Sequence, residues 1–425
     1  MDSFVINGGK PLSGKIKTDG SKNAALPILA ATLLVDSGVT TLKNVPDLRD
    51  INVMVRLLES LGAKVEFDRQ AHTITVDASK LSSHVAAYEL VSQMRGAFVA
   101  LGPLYARLGE AEVSLPGGCS LGARPVDYHI RGLRAMGAEV KEKDGYVIAK
   151  RGEKKDSVVC FDKQSHTGTE NIIFAATLGT DKGATGKTTI INAACDPEVV
   201  DVVAFLNAAG AKIKGAGTGQ IDIQPVNALK PTTYTIPGDR LVAGTYLLAA
   251  AASGGEVTVS GIAPDSLTMV LEKLAEMGCR TGSGRNSVSV SAPKRLDACS
   301  AVTYPFPGFP TDLQACMMAT MTVADGVSRL RETIFEDRFG HAMEMRRLGA
   351  DITISSDEAI IRGVKKLNGA TVMAGDIRAG AGLVIACLVA RKQSVVNRVY
   401  HIDRGYDRLE EKLCELGAEV SRVSS

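Results

Sequence analysis

A short phrase built around a glycine recurs six times along the chain, and this repetition limits the possible folds more than any other feature. Each copy is like Leu61-Gly62-Ala63 or Leu348-Gly349-Ala350, and the glycines lie at positions 62, 137, 210, 278, 349 and 417. The intervals between them are 75, 73, 68, 71 and 68 residues. Because self-similarity at a steady interval marks a repeated structural unit, the sequence predicts six copies of one unit.

Each unit is predicted to contain two helices of different character. Apolar residues near a 3.6-residue period indicate an amphipathic helix before each glycine, as in Asp50–Leu61, and the glycine ends that helix in a left-handed conformation. Alternating residues such as Thr73–Val76 predict the strands that follow. A second helix, rich in Ala and Gly and predicted to be buried, comes earlier in each unit. The six buried helices are predicted at Ala24–Leu34, Gly96–Leu104, Ile172–Leu178, Val242–Ala252, Leu313–Val323 and Ala379–Val389. A strand joins the two helices, so the predicted unit is helix–strand–helix–strand–strand.

Three units in each half predict an α/β protein of two similar domains. The N-terminal domain is expected to span 22–237 and the C-terminal domain 1–21 plus 238–425, with the active site in the cleft between them. The N-terminal strand Phe4–Gly8 is expected to complete the sheet of the last unit, which otherwise lacks a strand. An open solenoid is the alternative architecture, but solenoid repeats are usually about 20–50 residues long.

Composition narrows the classes of partner. The 425 residues include 49 Lys and Arg against 47 Asp and Glu, so the bulk charge favours neither nucleic acid nor an anionic membrane. The N-terminus carries no signal-peptide pattern, and no apolar run approaches the roughly 18–20 residues of a membrane span. The eight cysteines are scattered without metal-ligand spacing. We therefore expect a cytoplasmic protein that uses neither a metal nor a cofactor.

Cationic residues stand where buried helices are predicted to begin. Lys22, Arg95 and Arg378 occupy such starts, where the positive end of the helix dipole attracts an anion and opposes a cation. Arg124 and Arg404 each precede the glycine of their own unit by 13 residues, as Arg49 does, so they hold equivalent positions in units from opposite halves. Guanidinium groups bind phosphate and carboxylate bidentately. These residues predict a site for a small anion that carries several charges.

Acidic residues and one cysteine supply the candidate chemistry. Asp312 and Asp376 lie at helix starts and are candidate general bases, whereas Asp239 is interpreted as a helix cap. Cys119 lies among glycines, five residues before Arg124. A nearby positive charge favours the thiolate, so Cys119 is the candidate reactive thiol. The alternative is an ordinary mobile loop with an incidental thiol.

Six sequence tags, in order along the whole chain, match one family. The tags are S-K-N-A-A-L-P (21–27), P-G-G-C-S-L-G-A-R-P-V-D (116–127), F-P-T-D-L-Q (309–314), F-E-D-R-F (335–339), D-I-R-A (376–379) and Y-H-I-D-R-G-Y (400–406). With them the chain resembles the enolpyruvyl transferases that use UDP-N-acetylglucosamine. The resemblance implies a two-domain inside-out α/β barrel. It also implies transfer of the enolpyruvyl group of phosphoenolpyruvate to the sugar nucleotide's 3′-hydroxyl, with release of phosphate, as the first committed step of peptidoglycan synthesis.

The same resemblance implies roles for individual residues. Lys22 and Asn23 would contact phosphoenolpyruvate, with Arg124 and Arg404 holding its phosphate and carboxylate. Cys119 would donate a proton and would be the target of fosfomycin. The implied catalytic residues are Cys119, Asp312, Lys22 and Arg404. The substrate-binding residues implied for the sugar nucleotide are Arg95, Arg124 (also a ligand of phosphoenolpyruvate), Pro125, Val126, Asp127, Tyr128, Lys163, Gln164, Ser165 and His166. Those implied for the amino sugar are Asp312 and Ile334, and further substrate-binding residues are Arg338, Asp376 and Arg378.

Three positions depart from the family pattern. His166 stands where a small apolar residue is common, Gly238 is an extra residue, and Val242 replaces a frequent glutamate. Two alternative functions stay open. One is the sister activity, 3-phosphoshikimate 1-carboxyvinyltransferase, although Cys119 argues against it. The other is a non-catalytic repeat protein that binds sugar nucleotides.

Overall fold

The computed structural model of the protein describes residues 2–116, 126–153, 155–179 and 186–424. In chain order the α-helices are α1 (Lys22–Ala31), α2 (Arg49–Ser60), α3 (Tyr88–Val91), α4 (Leu101–Leu108), α5 (Asp127–Ala135), α6 (His166–Thr177), α7 (Pro197–Ala208), α8 (Arg240–Ser253), α9 (Thr268–Glu276), α10 (Gln314–Met321), α11 (His341–Arg347), α12 (Ile377–Val389) and α13 (Leu409–Glu415). Short 3-10 helices span Thr32–Leu34, Arg95–Ala100, Pro264–Leu267, Thr311–Leu313 and Val399–Arg404.

The strands complete the element order. They are β1 (Ser3–Asn7), β2 (Ser13–Lys17), β3 (Thr40–Lys43), β4 (Lys64–Asp68), β5 (Thr73–Asp77), β6 (Val85–Ala86), β7 (Glu110–Ser114), β8 (Glu139–Lys143), β9 (Tyr146–Lys150), β10 (Ser157–Cys160), β11 (Thr188–Ile191), β12 (Lys212–Lys214), β13 (Gln220–Gln224), β14 (Thr233–Thr235), β15 (Glu256–Ser260), β16 (Arg280–Gly284), β17 (Ser287–Ser291), β18 (Ser300–Val302), β19 (Val327–Arg331), β20 (Asp351–Ser355), β21 (Glu358–Arg362), β22 (Leu367–Asn368), β23 (Thr371–Met373), β24 (Ala390–Arg391), β25 (Gln393–Asn397) and β26 (Glu419–Val423).

The described residues form two compact units, each with its own hydrophobic core. The N-terminal unit holds the described residues between Gly20 and Pro237, and the C-terminal unit holds residues 2–19 and 238–424. Side chains from the buried helices fill both cores, such as Phe174 in the first and Leu383 in the second. The predicted α/β class is confirmed.

Three four-stranded sheets of one design build the N-terminal unit. Their strand orders are β14-β3-β5-β4, β6-β7-β9-β8 and β10-β11-β13-β12. In each sheet the last two strands of a repeat form an antiparallel pair, and the strand between the helices pairs with the second of them, as in Leu42↔Ile74. Helices α1, α4 and α6 are buried along most of their length. This is the predicted arrangement, with apolar helices inside and amphipathic helices following them.

The C-terminal unit repeats the design with the orders β16-β17-β15-β2, β18-β19-β21-β20 and β23-β25-β1-β26. Strand β1 lies between β25 and β26 and runs antiparallel to both, so Phe4 faces Val396 on one side and Arg422 on the other. The expectation that the N-terminal strand completes the last sheet is therefore confirmed. The first residues of the chain supply the hairpin strand that the sixth repeat lacks.

Each sheet also has a fourth strand that the predicted unit lacks. Strands β6, β10, β18 and β23 each precede a buried helix and pair in parallel with the strand that follows the helix. Strands β2 and β14 fill the same place in the two remaining sheets, where they pair with β15 and β3. These strands have two to five residues, which is too short for alternation to reveal them.

The six landmark glycines end their helices as predicted. Their φ angles lie between 85° and 104°, in the left-handed region that favours glycine. The second repeat shows why a side chain is excluded as well. A Cβ atom at Gly137 would lie 2.2 Å from the carbonyl oxygen of Glu153.

Prolines change two of the buried helices. In the second repeat the α-helix begins at Leu101, after the 3-10 turns of Arg95–Ala100, and carries Pro103 in its first turn, where a missing N–H is tolerated. In α1, Pro27 has no backbone N–H, so the usual helical hydrogen bond from residue 27 to the carbonyl oxygen of Asn23 is missing. None of the helices among the described residues is long and apolar enough to span a bilayer.

Candidate active site

The start of α1 carries a buried ion pair. Ser21 caps the helix by accepting a hydrogen bond from the amide of Ala24. Lys22, the first helical residue, is 7% exposed, and its Nζ lies 2.7 Å from Oδ2 of Asp50 in the first turn of α2. The sequence required an anion to explain a cation at this helix start, and Asp50 supplies at least part of that charge. Asp50 was missed because an acidic residue in a first helical turn is common.

Two of the segments assigned to the sugar nucleotide lie side by side in the N-terminal unit. Tyr128, in the first turn of α5, accepts a hydrogen bond at its hydroxyl from the amide of Lys163, at 3.2 Å. Ser165 caps α6 by accepting from the amide of Gly168, at 3.2 Å. A Cβ atom at Gly168 would lie 3.5 Å from Cβ of Tyr128. The structure therefore brings the segments 126–128 and 163–166 together.

His166 begins α6 and is surrounded by carboxylates. Its Nε2 lies 3.1 Å from Oε1 of Glu170, and its Nδ1 lies 3.7 Å from Oδ2 of Asp196. Burial lowers the pKa of His166, but the two carboxylates outweigh burial and hold that pKa well above 6.5. The imidazolium is thus balanced by its neighbours.

His166 and Asp196, together with Glu198, form the group that could hold a metal ion among the described residues. Ligand atoms of His166, Asp196 and Glu198 lie within 4.8 Å of one another. Asp196 and Glu198 also interact with other groups. We therefore describe this group as an ion-pair cluster around His166.

A buried histidine that the sequence did not reveal links three helices. Nδ1 of His129 lies 2.7 Å from the side-chain amide of Asn171, which also donates to the carbonyl of Phe98. Because that amide donates, Nδ1 accepts and Nε2 carries the proton, which it donates to Oγ1 of Thr167 at 3.3 Å. Burial, with a smaller effect of Arg95, lowers the pKa of His129 to about 3. A neutral His129 therefore fixes the start of α6 beside Arg95.

In the C-terminal unit, Asp312 lies between two buried arginines. Its Oδ1 accepts from Nη2 of Arg338 at 2.8 Å, and its Oδ2 accepts from Nε of Arg378 at 3.3 Å. Both arginine side chains are 6% exposed, whereas that of Asp312 is 29% exposed. The carboxylate is thus held on two sides and keeps an accessible face. These three residues were predicted for the site, and the structure brings them together.

A second carboxylate, that of Glu332, is linked to this cluster through hydrogen bonds. Glu332 accepts from the hydroxyl of Thr311 and from the amide of Ile334, each at 2.8 Å. Thr311 in turn accepts from Nη1 of Arg338 at 3.0 Å. Ile334, expected at the amino sugar, is therefore tied to the same network. The sequence showed no signal for Glu332, because its partners lie up to 29 residues away.

Asp239 and Asp376 act as helix caps. Oδ1 of Asp239 accepts from the amides of Leu241 and Val242 at the start of α8, which confirms the interpretation as a cap. Oδ1 of Asp376 accepts in the same way from the first amides of α12. A carboxylate engaged in capping has less freedom to act as a base, so the geometry favours Asp312 over Asp376 for that role.

Arg404 ends the 3-10 helix Val399–Arg404, and the next residues pack against the start of α12. A Cβ atom at Gly405 would lie 2.5 Å from Ile377. The ring of Tyr406 lies under the guanidinium of Arg378, 5.4 Å from ring centroid to Cζ, and its hydroxyl is 2.9 Å from Oγ1 of Thr245. The segment of Arg404 is thus adjacent to the Asp312 cluster.

The predictions for Cys119, Arg124 and Pro125 lie outside the described residues. The described cysteines can still be ranked. Burial raises the pKa of Cys279 and Cys299 to about 11. The same cause raises the pKa of two further buried thiols, at positions 316 and 387, to about 12. These four are poor nucleophiles at neutral pH.

Comparison with known proteins gives a family and a fold. The family model for EPSP synthase (3-phosphoshikimate 1-carboxyvinyltransferase) matches residues 6–413. A protein of Coxiella burnetii named UDP-N-acetylglucosamine 1-carboxyvinyltransferase is 50% identical over 427 residues, which cover 100% of this chain and 97% of that protein. A protein of the same name from Thermodesulfovibrio yellowstonii is 47% identical, with 100% of both chains covered.

Solved structures agree on the fold. The enolpyruvyl transferase NikO from Streptomyces tendae matches with a TM-score of 0.87 at 23% identity, over 100% of this chain and 99% of that one. EPSP synthase from Acinetobacter baumannii matches with a TM-score of 0.74 at 17% identity, over 100% of both chains. The predicted two-domain α/β fold of the enolpyruvyl transferases is confirmed.

Proposed function

Because this chain belongs to the EPSP synthase family of enolpyruvyl transferases, we propose that it transfers the enolpyruvyl group of phosphoenolpyruvate to the 3′-hydroxyl of UDP-N-acetylglucosamine and releases phosphate. This reaction opens peptidoglycan synthesis. The observation that carries the proposal is the full-length similarity, at about half of all positions, to proteins that bear the name of this activity. The matching structures named EPSP synthase share the fold at much lower identity.

Asp312 is the proposed general base. Its accessible face would accept the proton of the 3′-hydroxyl while Arg338 and Arg378 hold its two oxygens. A positioned base of this kind contributes about 10²–10⁴ in rate. Because the carboxylate cannot rotate freely between its two partners, the arginines also supply the orientation that the step needs.

The proposed reaction is an addition followed by an elimination. The 3′-oxygen bonds to C2 of phosphoenolpyruvate while C3 gains a proton from an acid, by resemblance Cys119. The tetrahedral ketal then loses phosphate from C2 and a proton from C3, which restores the double bond. The atoms balance without any further reactant. Fosfomycin, an epoxide phosphonate, is proposed to alkylate Cys119 in the place of phosphoenolpyruvate.

Cations are the proposed ligands of phosphoenolpyruvate. Lys22 carries an ammonium group at the start of α1, beside Asp50, and is proposed to contact a phosphate or carboxylate oxygen of the substrate. Arg124 and Arg404 are proposed to supply bidentate contacts to the same two groups. Asn23 adjoins Lys22 in the first turn of α1, and its side-chain amide is proposed to donate to the same substrate.

The sugar nucleotide is proposed to bind at the start of α6. The adjacent segments 126–128 and 163–166 meet there, and unpaired amides at a helix start suit a diphosphate. The imidazolium of His166 adds a charge at this helix start, partly neutralised by Glu170 and Asp196. Both substrates are cytoplasmic metabolites, so the cytoplasm is the proposed location.

Phosphate release from phosphoenolpyruvate tests the proposal. We expect turnover with UDP-N-acetylglucosamine and none without an acceptor. Turnover with shikimate 3-phosphate instead would favour the sister activity. Binding of the sugar nucleotide in calorimetry without any phosphate release would favour a non-catalytic protein.

A further inference from the structure

The guanidinium of Arg422, on the last strand β26, is surrounded by three carboxylates. Its Nε donates to Glu410 at 2.5 Å, and its Nη2 donates to the second oxygen of the same carboxylate at 3.3 Å. Its Nη1 and Nη2 donate to the two oxygens of Asp403 at 3.0 and 2.6 Å. Nη1 also donates to Asp2 at 3.2 Å. All five N–H donors of the group are therefore used. We call these four residues the Arg422 hub.

The hub joins four separate pieces of the C-terminal unit. Asp2 precedes β1, Glu410 lies in α13, and Asp403 lies in the 3-10 helix that ends at Arg404. Phe4 on β1 places its ring 5.0 Å from Cζ of Arg422. Charge-assisted bidentate bonds are stronger and more directional than single bonds between neutral groups. Arg422 thus fixes the 3-10 helix to the last sheet of the unit.

The backbone around Arg404 is confined at both ends. Arg398 (φ 59°) enters the 3-10 helix and Arg408 (φ 46°) leaves the segment, each in the left-handed conformation that non-glycine residues adopt only when their surroundings require it. Between them Ile402 is completely buried. Asp403, the residue directly before Arg404, is where Arg422 binds this segment, through hydrogen bonds to both carboxylate oxygens.

We propose that Arg422 is a positioning residue for Arg404: by holding the Asp403 carboxylate at both oxygens, it keeps the neighbouring guanidinium ready for phosphoenolpyruvate. This inference rests on the proposed function, in which Arg404 contacts that substrate. A side chain that is already ordered loses less freedom on binding, so preorganisation strengthens binding without adding a contact. The sugar nucleotide, assigned to the N-terminal unit apart from its amino sugar, should be little affected by the loss of the hub.

The test compares Arg422→Lys with a matched control, Arg362→Lys. Lysine keeps the charge and loses the fork. Arg362 lies on β21 of the same unit, and its Nη1 lies 3.8 Å from Oδ1 of Asp351, in an exposed pair outside the proposed site. We expect Arg422→Lys to raise KM for phosphoenolpyruvate on the order of 10-fold, with KM for the sugar nucleotide unchanged. The control should leave both values unchanged.

Amide hydrogen exchange over residues 399–406 supplies a readout that does not depend on activity. Exchange there should become faster in Arg422→Lys and in Asp403→Asn, a variant of nearly the same size that loses one acceptor oxygen. Equal increases in both KM values would overturn the proposal, because a purely structural role predicts them. Unchanged exchange in both variants would overturn the positioning role of Arg422 and leave the proposed function intact. A wild-type protein without turnover would overturn the proposed function, and the exchange measurement would still test the positioning role.

Discussion

The starts of two buried helices, one in each unit, occupy corresponding places in the repeat and carry side chains of opposite charge, Lys22 at α1 and Asp312 before α10. At the start of α1 a lysine is paired with a carboxylate, Lys22 with Asp50. Before α10 a carboxylate lies between two guanidinium groups, Asp312 between Arg338 and Arg378, and Glu332 is joined to Arg338 through Thr311. The difference shows that the repeat is a scaffold and that the residue at each helix start decides its chemistry. At Asp312 two cations hold a carboxylate in place, whereas at Lys22 one carboxylate lies beside a buried cation.

The largest expected effect concerns Asp312. Asp312→Asn should lower kcat by about 10²–10⁴ because the base is lost, while the affinity for the sugar nucleotide stays within a few-fold, since a base acts in the transition state. Phosphate release and calorimetry measure the two quantities. Asp325→Asn is the control, because Asp325 forms an exposed pair with Arg295 away from the site. Undiminished turnover in Asp312→Asn would contradict the assignment of Asp312 as the general base.

The balanced pair should matter more for stability than for the chemical step. Asp50→Asn leaves Lys22 charged and buried without its carboxylate, so the free energy of unfolding should fall by about 3–5 kcal/mol. Chemical denaturation measures this change. Lys22→Met combined with Asp50→Leu should recover part of it, because an apolar pair leaves no charge to desolvate. A change below about 1 kcal/mol would mean that Asp50 does not balance Lys22.

The next prediction concerns the two arginines, Arg404 and Arg124, that are proposed to bind phosphoenolpyruvate. Arg404→Lys keeps the charge and loses the bidentate fork, so KM for phosphoenolpyruvate should rise on the order of 10-fold. Arg124→Lys, at the same distance from the glycine of a unit in the other half, should behave alike. Steady-state kinetics with each substrate varied in turn would show this. If neither variant changes KM for phosphoenolpyruvate, the inference from the shared 13-residue spacing fails.

The smallest expected effect belongs to His166, which tests whether a charge already balanced by its neighbours still attracts a ligand. The sequence alone suggested that nucleotide affinity would tighten as pH falls through about 6.5. Since Glu170 and Asp196 hold the pKa of His166 well above that value, the imidazolium is present at neutral pH, and affinity should weaken only as pH rises through the higher pKa. We expect less than about a tenfold change, because the carboxylates offset most of the charge.

Calorimetry across this pH range with wild type and His166→Val checks that expectation, and the valine variant should flatten the profile. The same linkage predicts a stability effect. A raised pKa in the folded state stabilises the protein fully below about pH 6.5, and this contribution is lost as pH rises through the folded value. Identical pH profiles for the two proteins would mean that His166 has no part in nucleotide binding.

The repeat could be predicted from the sequence because it is a local property. Period, glycine stops and alternation depend on neighbours a few residues apart, and they located the six buried helices. The short parallel strands β6, β10, β18 and β23 were not predicted, because a segment of two to four residues is too short to show a periodic pattern. The placement of β1 was predictable for a different reason, because the count of strands in the last repeat left one place empty.

The sequence by itself determined the repeated unit and the charged residues near several helix starts, although α4 begins at Leu101 and α6 at His166, which differ from the predicted starts. Only the tertiary structure decided the partners: Asp50 for Lys22, Glu170 and Asp196 for His166, and Arg338 and Arg378 for Asp312. Arg378 is 66 residues from Asp312 along the chain, and no local pattern spans that distance. A charged side chain acts on whatever lies within a few ångströms of it, so its role depends on how the repeats stack in three dimensions.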